Sequence, residues 1–315
     1  MNPSDVRVIF MGSPTFAVPS LRALHAAGYN IVAVVTQPDR PAGRGGQPQP
    51  PPVKGAAEQI GVPVLQLEEI RSDESFGAIR AYVPDLLVVA AYGKLLSQRL
   101  LDLPARGPVN VHASLLPRWR GASPIAAAIL KGDQVTGVTI MEMVRAMDAG
   151  PSIAQREVPV DPGDTTRTLE PRLAEAGARL LVDALPGWFD GHAKARPQDE
   201  SQVTACKLLT KNDGWLRSDM TAAEAERAVR AYDPWPGAFV EYRDQRLGIW
   251  KARVAPPVPG LDVGTTAMVG RLPAVAFTRG LLVLEEVQRS GARRVNGEAF
   301  VNGERGGLES SVGLQ

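Results

Sequence analysis

Short runs of uninterrupted apolar residues, separated by stretches with helical spacing, constrain this chain more than any other feature. Val6 to Met11 ends at Gly12, and Ile31 to Thr36, Asp85 to Ala91, Pro108 to Ala113 and Gly137 to Met143 repeat the pattern. A strand apolar on both faces must be covered on both, and strands joined by crossover helices run parallel. Helix signals fill the gaps. Ser13-Pro14 offers a cap followed by proline at the first helical position, and Gly28 closes the segment it opens. Val53 to Ile60, Ser75 to Tyr82 and Leu95 to Leu101 read as helices, and Val62 to Leu65 as a short strand. Ser123-Pro124 opens another helix, which ends at Gly132. The first half therefore predicts a doubly wound, mostly parallel sheet whose ligands sit beyond the carboxyl ends of its strands.

Asp164 to Leu185 keeps helical spacing, and Pro186 is expected to stop it. The polar stretch that follows reads as a linker. Thr221 and Glu224 form a capping box for a helix to about Tyr232, closed by "DPWPG". Beyond it, "AFVEY", "RLGIWKARV", "AMVGRL" and "LLVLEEVQ" are short β-like runs that suit a small barrel, with a frayed tail after them. The expected organisation is an α/β domain over 1–189, a linker over 190–213 and a β domain over 214–315. Gln37 to Pro52, dense in proline and glycine, is expected to be neither helix nor strand, and loops of that size are usually functional.

Composition narrows the classes. A chain of 315 residues suits two domains, and no apolar run approaches the ~20 residues of a membrane span. "MNPSDVRVIF" lacks the marks of a signal or transit peptide. The single cysteine, Cys206, excludes an internal disulfide and argues against a cysteine-ligated metal. A net charge of +1 leaves any nucleic-acid contact to local basic patches. A soluble, cytoplasmic monomer with no membrane contact and no metal is the expectation.

The chemistry concentrates in "VNVHASLLPRWRGASP", Val109 to Pro124, which holds one of only three histidines. Side chains two apart on a strand point the same way, so Asn110 and His112 project together from a carboxyl end. An amide donor beside an imidazole suits a developing oxyanion and a moving proton. A satisfied, half-buried histidine beside a turn-bonding asparagine is the competing reading. Asp148, in the loop after the last apolar strand, is the candidate carboxylate to hold the imidazole; it also reads as a turn aspartate before glycine. No G-x-S-x-G, H-E-x-x-H or C-x-x-C occurs, and the first strand runs into "MGSPTFA", not G-x-G-x-x-G. A polar trio without its own nucleophile points to a nucleophile that arrives with the substrate.

"NVHASLLPRWRGASPI", with "GVTIMEM" and "MDAG" after it, resembles the active-site signature of the folate-dependent formyltransferases. "TQPDRPAGRG", "KLLTKNDGWL" and "RAYDPWPGA" resemble the branch that acts on charged tRNA. The resemblance implies a Rossmann-like domain binding 10-formyltetrahydrofolate, joined to an OB-like domain that binds tRNA. It implies formyl transfer to the α-amine of methionine on initiator methionyl-tRNA, for translation initiation. Asn110, His112 and Asp148 would be catalytic; Ser114, Leu115, Leu116 and Pro117 would form the folate-contacting turn; Leu95 and Leu96 would line the pterin pocket. Arg40 and Arg44, in the proline-rich loop, are expected to contact the acceptor end of the tRNA. Formyl transferases acting on a purine precursor or an amino sugar are the nearest rivals, and the C-terminal β domain argues against the first. The chain departs from the family pattern at Val144, Ala146, Ala149 and Pro151, around Asp148.

Overall fold

The computed structural model describes residues 2–42, 46–304 and 307–315. Strand β1 (Arg7–Gly12) leads through a 3-10 turn into α1 (Val18–Ala26), and β2 (Asn30–Thr36) follows. Helix α1 starts later than Ser13-Pro14 suggested, because the Ser13 hydroxyl accepts from the amide of Gln37 instead of capping a helix. Next come β3 (Arg40–Ala42) and β4 (Gln47–Gln49), which pair antiparallel. The segment expected to lack regular structure thus carries a short hairpin. Its prolines fit because a two-stranded ribbon is all edge, where a missing N–H costs no ladder bond; Pro41 faces Pro48.

The alternation continues with α2 (Pro52–Gln59), β5 (Val64–Gln66), α3 (Asp73–Arg80), β6 (Leu86–Ala90), α4 (Gln98–Leu101) and β7 (Pro108–His112). Ser72 caps α3 by accepting from Ser75 N, whereas the helix expected from Leu95 begins only at Gln98. Beyond β8 (Arg120–Gly121) lie α5 (Pro124–Lys131), β9 (Val135–Glu142), β10 (Ser152–Pro159) and α6 (Thr166–Phe189). The main sheet runs β10-β9-β7-β6-β1-β2-β5. Its last five strands are parallel, while β9 opposes both β7 and β10. Strand β10 carries no apolar run to announce it, because an antiparallel edge strand leaves one face to solvent. Ile9, Met11, Val35, Leu87 and Val89 pack with Ile79, Leu96 and Leu100 in one core layer. On the other face, α6 approaches so closely that a Cβ on Gly177 would stand 2.8 Å from Val111 Cγ1. Pro186 does not stop α6, contrary to expectation. Tertiary contacts hold the last turn: Trp188 Nε1 donates to the Arg106 carbonyl at 3.0 Å, and the Arg106 guanidinium lies over the Phe189 ring.

Strand β11 (Ala205–Cys206) pairs with β8, so the stretch expected to be a plain linker contributes to the first unit. The chain divides into two compact units, each discontinuous: 1–124, 135–159 and 170–206 in the first, and 125–134, 160–169 and 207–315 in the second. In the second unit, α7 (Ala222–Ala231) opens on the expected Thr221/Glu224 capping box. It is followed by β12 (Ala238–Tyr242), β13 (Gln245–Ala255), β14 (Thr266–Val269), β15 (Leu272–Ala276), β16 (Leu281–Arg289), β17 (Val295–Asn296) and α8 (Gly297–Asn302). "AMVGRL" is not one run; it turns at Gly270-Arg271 between β14 and β15. The antiparallel sheet runs β12-β13-β16-β15-β14, with β17 on β16. The tail expected to fray is held by backbone bonds in its described part, 307–315. Gly313 exchanges both backbone bonds with Glu241 of β12, while Ser310 and Val312 bond Thr266 and Gly264 beside β14. One extended segment therefore bridges both edges of the sheet.

Candidate active site

Asn110 and His112 sit at the carboxyl end of β7, whose ladder bonds to β6 and β9 fix their backbone. Val111, between them, faces α6, so the two polar side chains share the opposite face. His112 is 6% exposed. Its Nε2 lies 3.0 Å from the carbonyl oxygen of Trp119. A carbonyl only accepts, so Nε2 carries the ring proton. Nδ1 therefore faces Asp148, whose Oδ1 is 3.7 Å away. That gap exceeds a direct hydrogen bond, and with the ring proton on Nε2 the two facing acceptors share a bond only when one of them takes up a further proton. The Asn110 amide makes no hydrogen bond among the described residues, which leaves it available to a ligand.

Asp148 is held by more than its neighbours in sequence. Its Oδ2 accepts from the Gly121 amide at 2.8 Å. Gly121 has φ +122, and a Cβ there would stand 2.0 Å from the Cys206 carbonyl, so only glycine lets β8 pass β11 and aim that N–H at Asp148. The Asp148 and Gly150 carbonyls accept from Gln198 Nε2 at 2.8 and 2.6 Å. Glu142 N donates to the Pro151 carbonyl at 3.0 Å, so proline after Gly150 still closes the base of this loop. Val144 and Met147 are exposed on it.

The turn from Ser114 to Pro117 is tied into the sheet. Ser114, fully buried, donates to the Arg118 carbonyl at 2.6 Å. The Thr139 hydroxyl donates to Ser114 O and accepts from Leu116 N, and Gln155 Nε2 donates to Leu116 O at 2.7 Å. Leu115 is half-buried near Gly137, Leu116 is buried and Pro117 is half-buried. Leu96 belongs to the core layer, whereas Leu95 is 52% exposed. Both follow the carboxyl end of β6, next to β7. Arg40 is exposed on β3; Arg44 lies outside the described residues. At the base of that hairpin, Asp39 binds Lys54 and Gln66, and these bonds, Gln66 first, hold its carboxyl below the ordinary range.

Sequence reasoning missed Trp119, Gly121, Thr139, Gln155, Gln198 and Thr204. All six act through backbone atoms or on them, and backbone chemistry leaves no residue-type signal. Among the described residues, no group of three or more His, Cys, Asp or Glu side chains stands close enough to hold a metal. No helix among them is long and apolar enough to cross a membrane.

Residues 6–185 match the sequence profile described as formyl transferase, and residues 208–305 match that of the formyl transferase C-terminal domain. The chain is 48% identical to the methionyl-tRNA formyltransferase of Chloroflexus aggregans over 302 residues, covering 95% of this chain and 97% of that one. It is 44% identical to the methionyl-tRNA formyltransferase of Methylococcus capsulatus over 297 residues, covering 94% and 96%. Among solved structures, the N-formyltransferase of Helicobacter canadensis, bound to folinic acid and dTDP-3-aminofucose, superposes with a TM-score of 0.66 at 16% identity, covering 92% of this chain and 100% of that one. HypX of Aquifex aeolicus in complex with tetrahydrofolic acid gives a TM-score of 0.61 at 18% identity, covering 95% of this chain and 47% of that one. The chain thus spans about half of HypX. At such identities the solved structures speak for the fold alone.

Proposed function

Because the chain belongs to the formyl transferase family, we propose that it carries a formyl group from 10-formyltetrahydrofolate to the α-amine of methionine on initiator methionyl-tRNA. The observation that carries this reading is the likeness to methionyl-tRNA formyltransferases along nearly the whole of both chains. A sugar-specific relative shares the fold at 16% identity, far below the 42–48% seen with the tRNA-directed enzymes.

The chemistry fits the residues. The substrate amine is the nucleophile, so the chain needs none of its own. In this reading Asn110 offers its amide protons to the formyl oxygen as charge develops there. His112, with its Nε2 proton tied to Trp119, faces Asp148 with Nδ1, and that pair takes the proton released by the attacking amine and passes it to the departing folate nitrogen as that nitrogen's bond to the formyl carbon breaks. The Ser114–Pro117 turn and Leu95 serve the folate; Leu96, a core residue, acts only by backing that wall. Arg40 and Arg44 serve the tRNA, as does the OB-like second domain. The protein works as a monomer in the cytoplasm.

The test supplies 10-formyltetrahydrofolate and charged initiator tRNA to the purified chain and follows N-formylmethionine by mass. Formylation of a dTDP-amino sugar without formylation of methionyl-tRNA would move the protein to the sugar-directed class.

A further inference from the structure

Six described non-glycine residues have positive φ, and two of them face the nitrogens of His112: Trp119 at +59 and Asp148 at +50. Such a backbone persists where the surroundings over-determine it. Both residues are fastened by the same stretch of chain, the end of the segment that leads out of the first unit. Thr204 Oγ1 accepts from Trp119 N at 2.9 Å, and Thr204 O accepts from Arg120 N at 2.9 Å. Gln198 Nε2 donates to Asp148 O and Gly150 O, while Gln198 Oε1 accepts from Arg120 Nε at 2.9 Å. Arg120 is itself anchored by both guanidinium ends on Glu200. Arg196 completes the fastening by exchanging backbone bonds with Ser152, just past the Asp148 loop.

We propose that Gln198 and Thr204 are positioning residues of the His112–Asp148 site. Thr204 fixes the Trp119 peptide, whose carbonyl decides that Nε2 carries the ring proton. Gln198 fixes the Asp148 peptide, which decides where the carboxylate stands relative to Nδ1. Neither residue touches substrate. Together they make the segment 196–206 a clasp that sets the proton's address on His112.

The proposal rests on the formyl-transfer reading for its kinetic arm only. In the full-length protein, Gln198→Leu removes the amide, Thr204→Val removes the hydroxyl at constant shape, and Thr204→Ser restores the hydroxyl. Expected for Gln198→Leu and Thr204→Val is a kcat about 10- to 100-fold lower, with KM for both substrates within about twofold and Thr204→Ser near wild type. In parallel, ¹⁵N spectra of the labelled imidazole should show the Nε2–H tautomer in the wild-type protein. A new Nδ1–H population should appear in Thr204→Val and not in Thr204→Ser. Wild-type kcat and unchanged imidazole signals in Thr204→Val would overturn the proposal, as would equal losses in Thr204→Val and Thr204→Ser. Should Gln198→Leu fail to fold, the Thr204 pair decides alone. Should the wild-type protein not formylate methionyl-tRNA, the functional reading fails, and the ¹⁵N spectra still test the clasp.

Discussion

Asp148 presents its two oxygens to different partners, a backbone N–H and an imidazole nitrogen. Asparagine can keep the first by accepting from Gly121 but cannot take a proton. Asp148→Asn is therefore expected to fold normally and lose about 10²- to 10⁴-fold in kcat, checked by single-turnover formylation beside a thermal melt. His112→Ala should lose a similar factor, and the double variant little more, because the two act as a unit. Full turnover in a folded Asp148→Asn protein would remove the carboxylate from the mechanism. Cys206 gives a quieter test. Burial pushes its thiol upward, opposed by a bond from Ser123, with the Asp148 charge adding to the rise. Alkylation at neutral pH should thus run slower than for a free thiol, and a rate equal to glutathione's would contradict the burial. At this scale the sequence was partly legible. Asn110 and His112 stood out because strand alternation aligns them and apolar neighbours isolate them. Trp119 and Gly121 did not, because a carbonyl and an amide are common to all residues.

Among the elements, the β3–β4 hairpin was hidden by its own composition: prolines that bar a central strand are harmless in a free ribbon. The Asp39, Lys54 and Gln66 cluster fixes its root, so Arg40 leaves the sheet in a defined direction. Arg40→Ala is expected to lower kcat/KM for the tRNA while leaving formylfolate affinity unchanged. If Arg40 neutralises one phosphate, the log–log salt slope should shrink by about 0.7 to 0.9. Equal tRNA kinetics for both proteins across ionic strengths would return the hairpin to a surface insertion. Helix α7 was legible from its capping box and α3 from its spacing, as were strands buried on both faces. Strand β10 and the last turn of α6 were not, because an edge partner and the Trp188 and Phe189 contacts settle them, and those arise only after folding.

In the whole molecule, two units do not follow from one cut in the chain. Arg227 donates to Leu130 O, Arg230 to Asp164 O, and Arg167 pairs with Asp233, all within the second unit. A chain stopped after Cys206 keeps α5 and the start of α6 but loses these partners. It is expected to melt lower and less cooperatively than the full protein, or to precipitate, as calorimetry and sedimentation would show. A sharp melt at the full-length temperature would make the first unit autonomous. The stretch that bridges β12 and the start of β14 is the partner that both edge strands bond, so the sheet is closed only when that stretch is in place. The hairpins of this sheet can form one after another, but residues 310–313 join edges that lie far apart in the sequence, so their docking needs both edges formed first. Until that stretch docks, both edges stay open to pairing with other chains, so the seating of this one segment sets the moment at which the second unit becomes safe from aggregation.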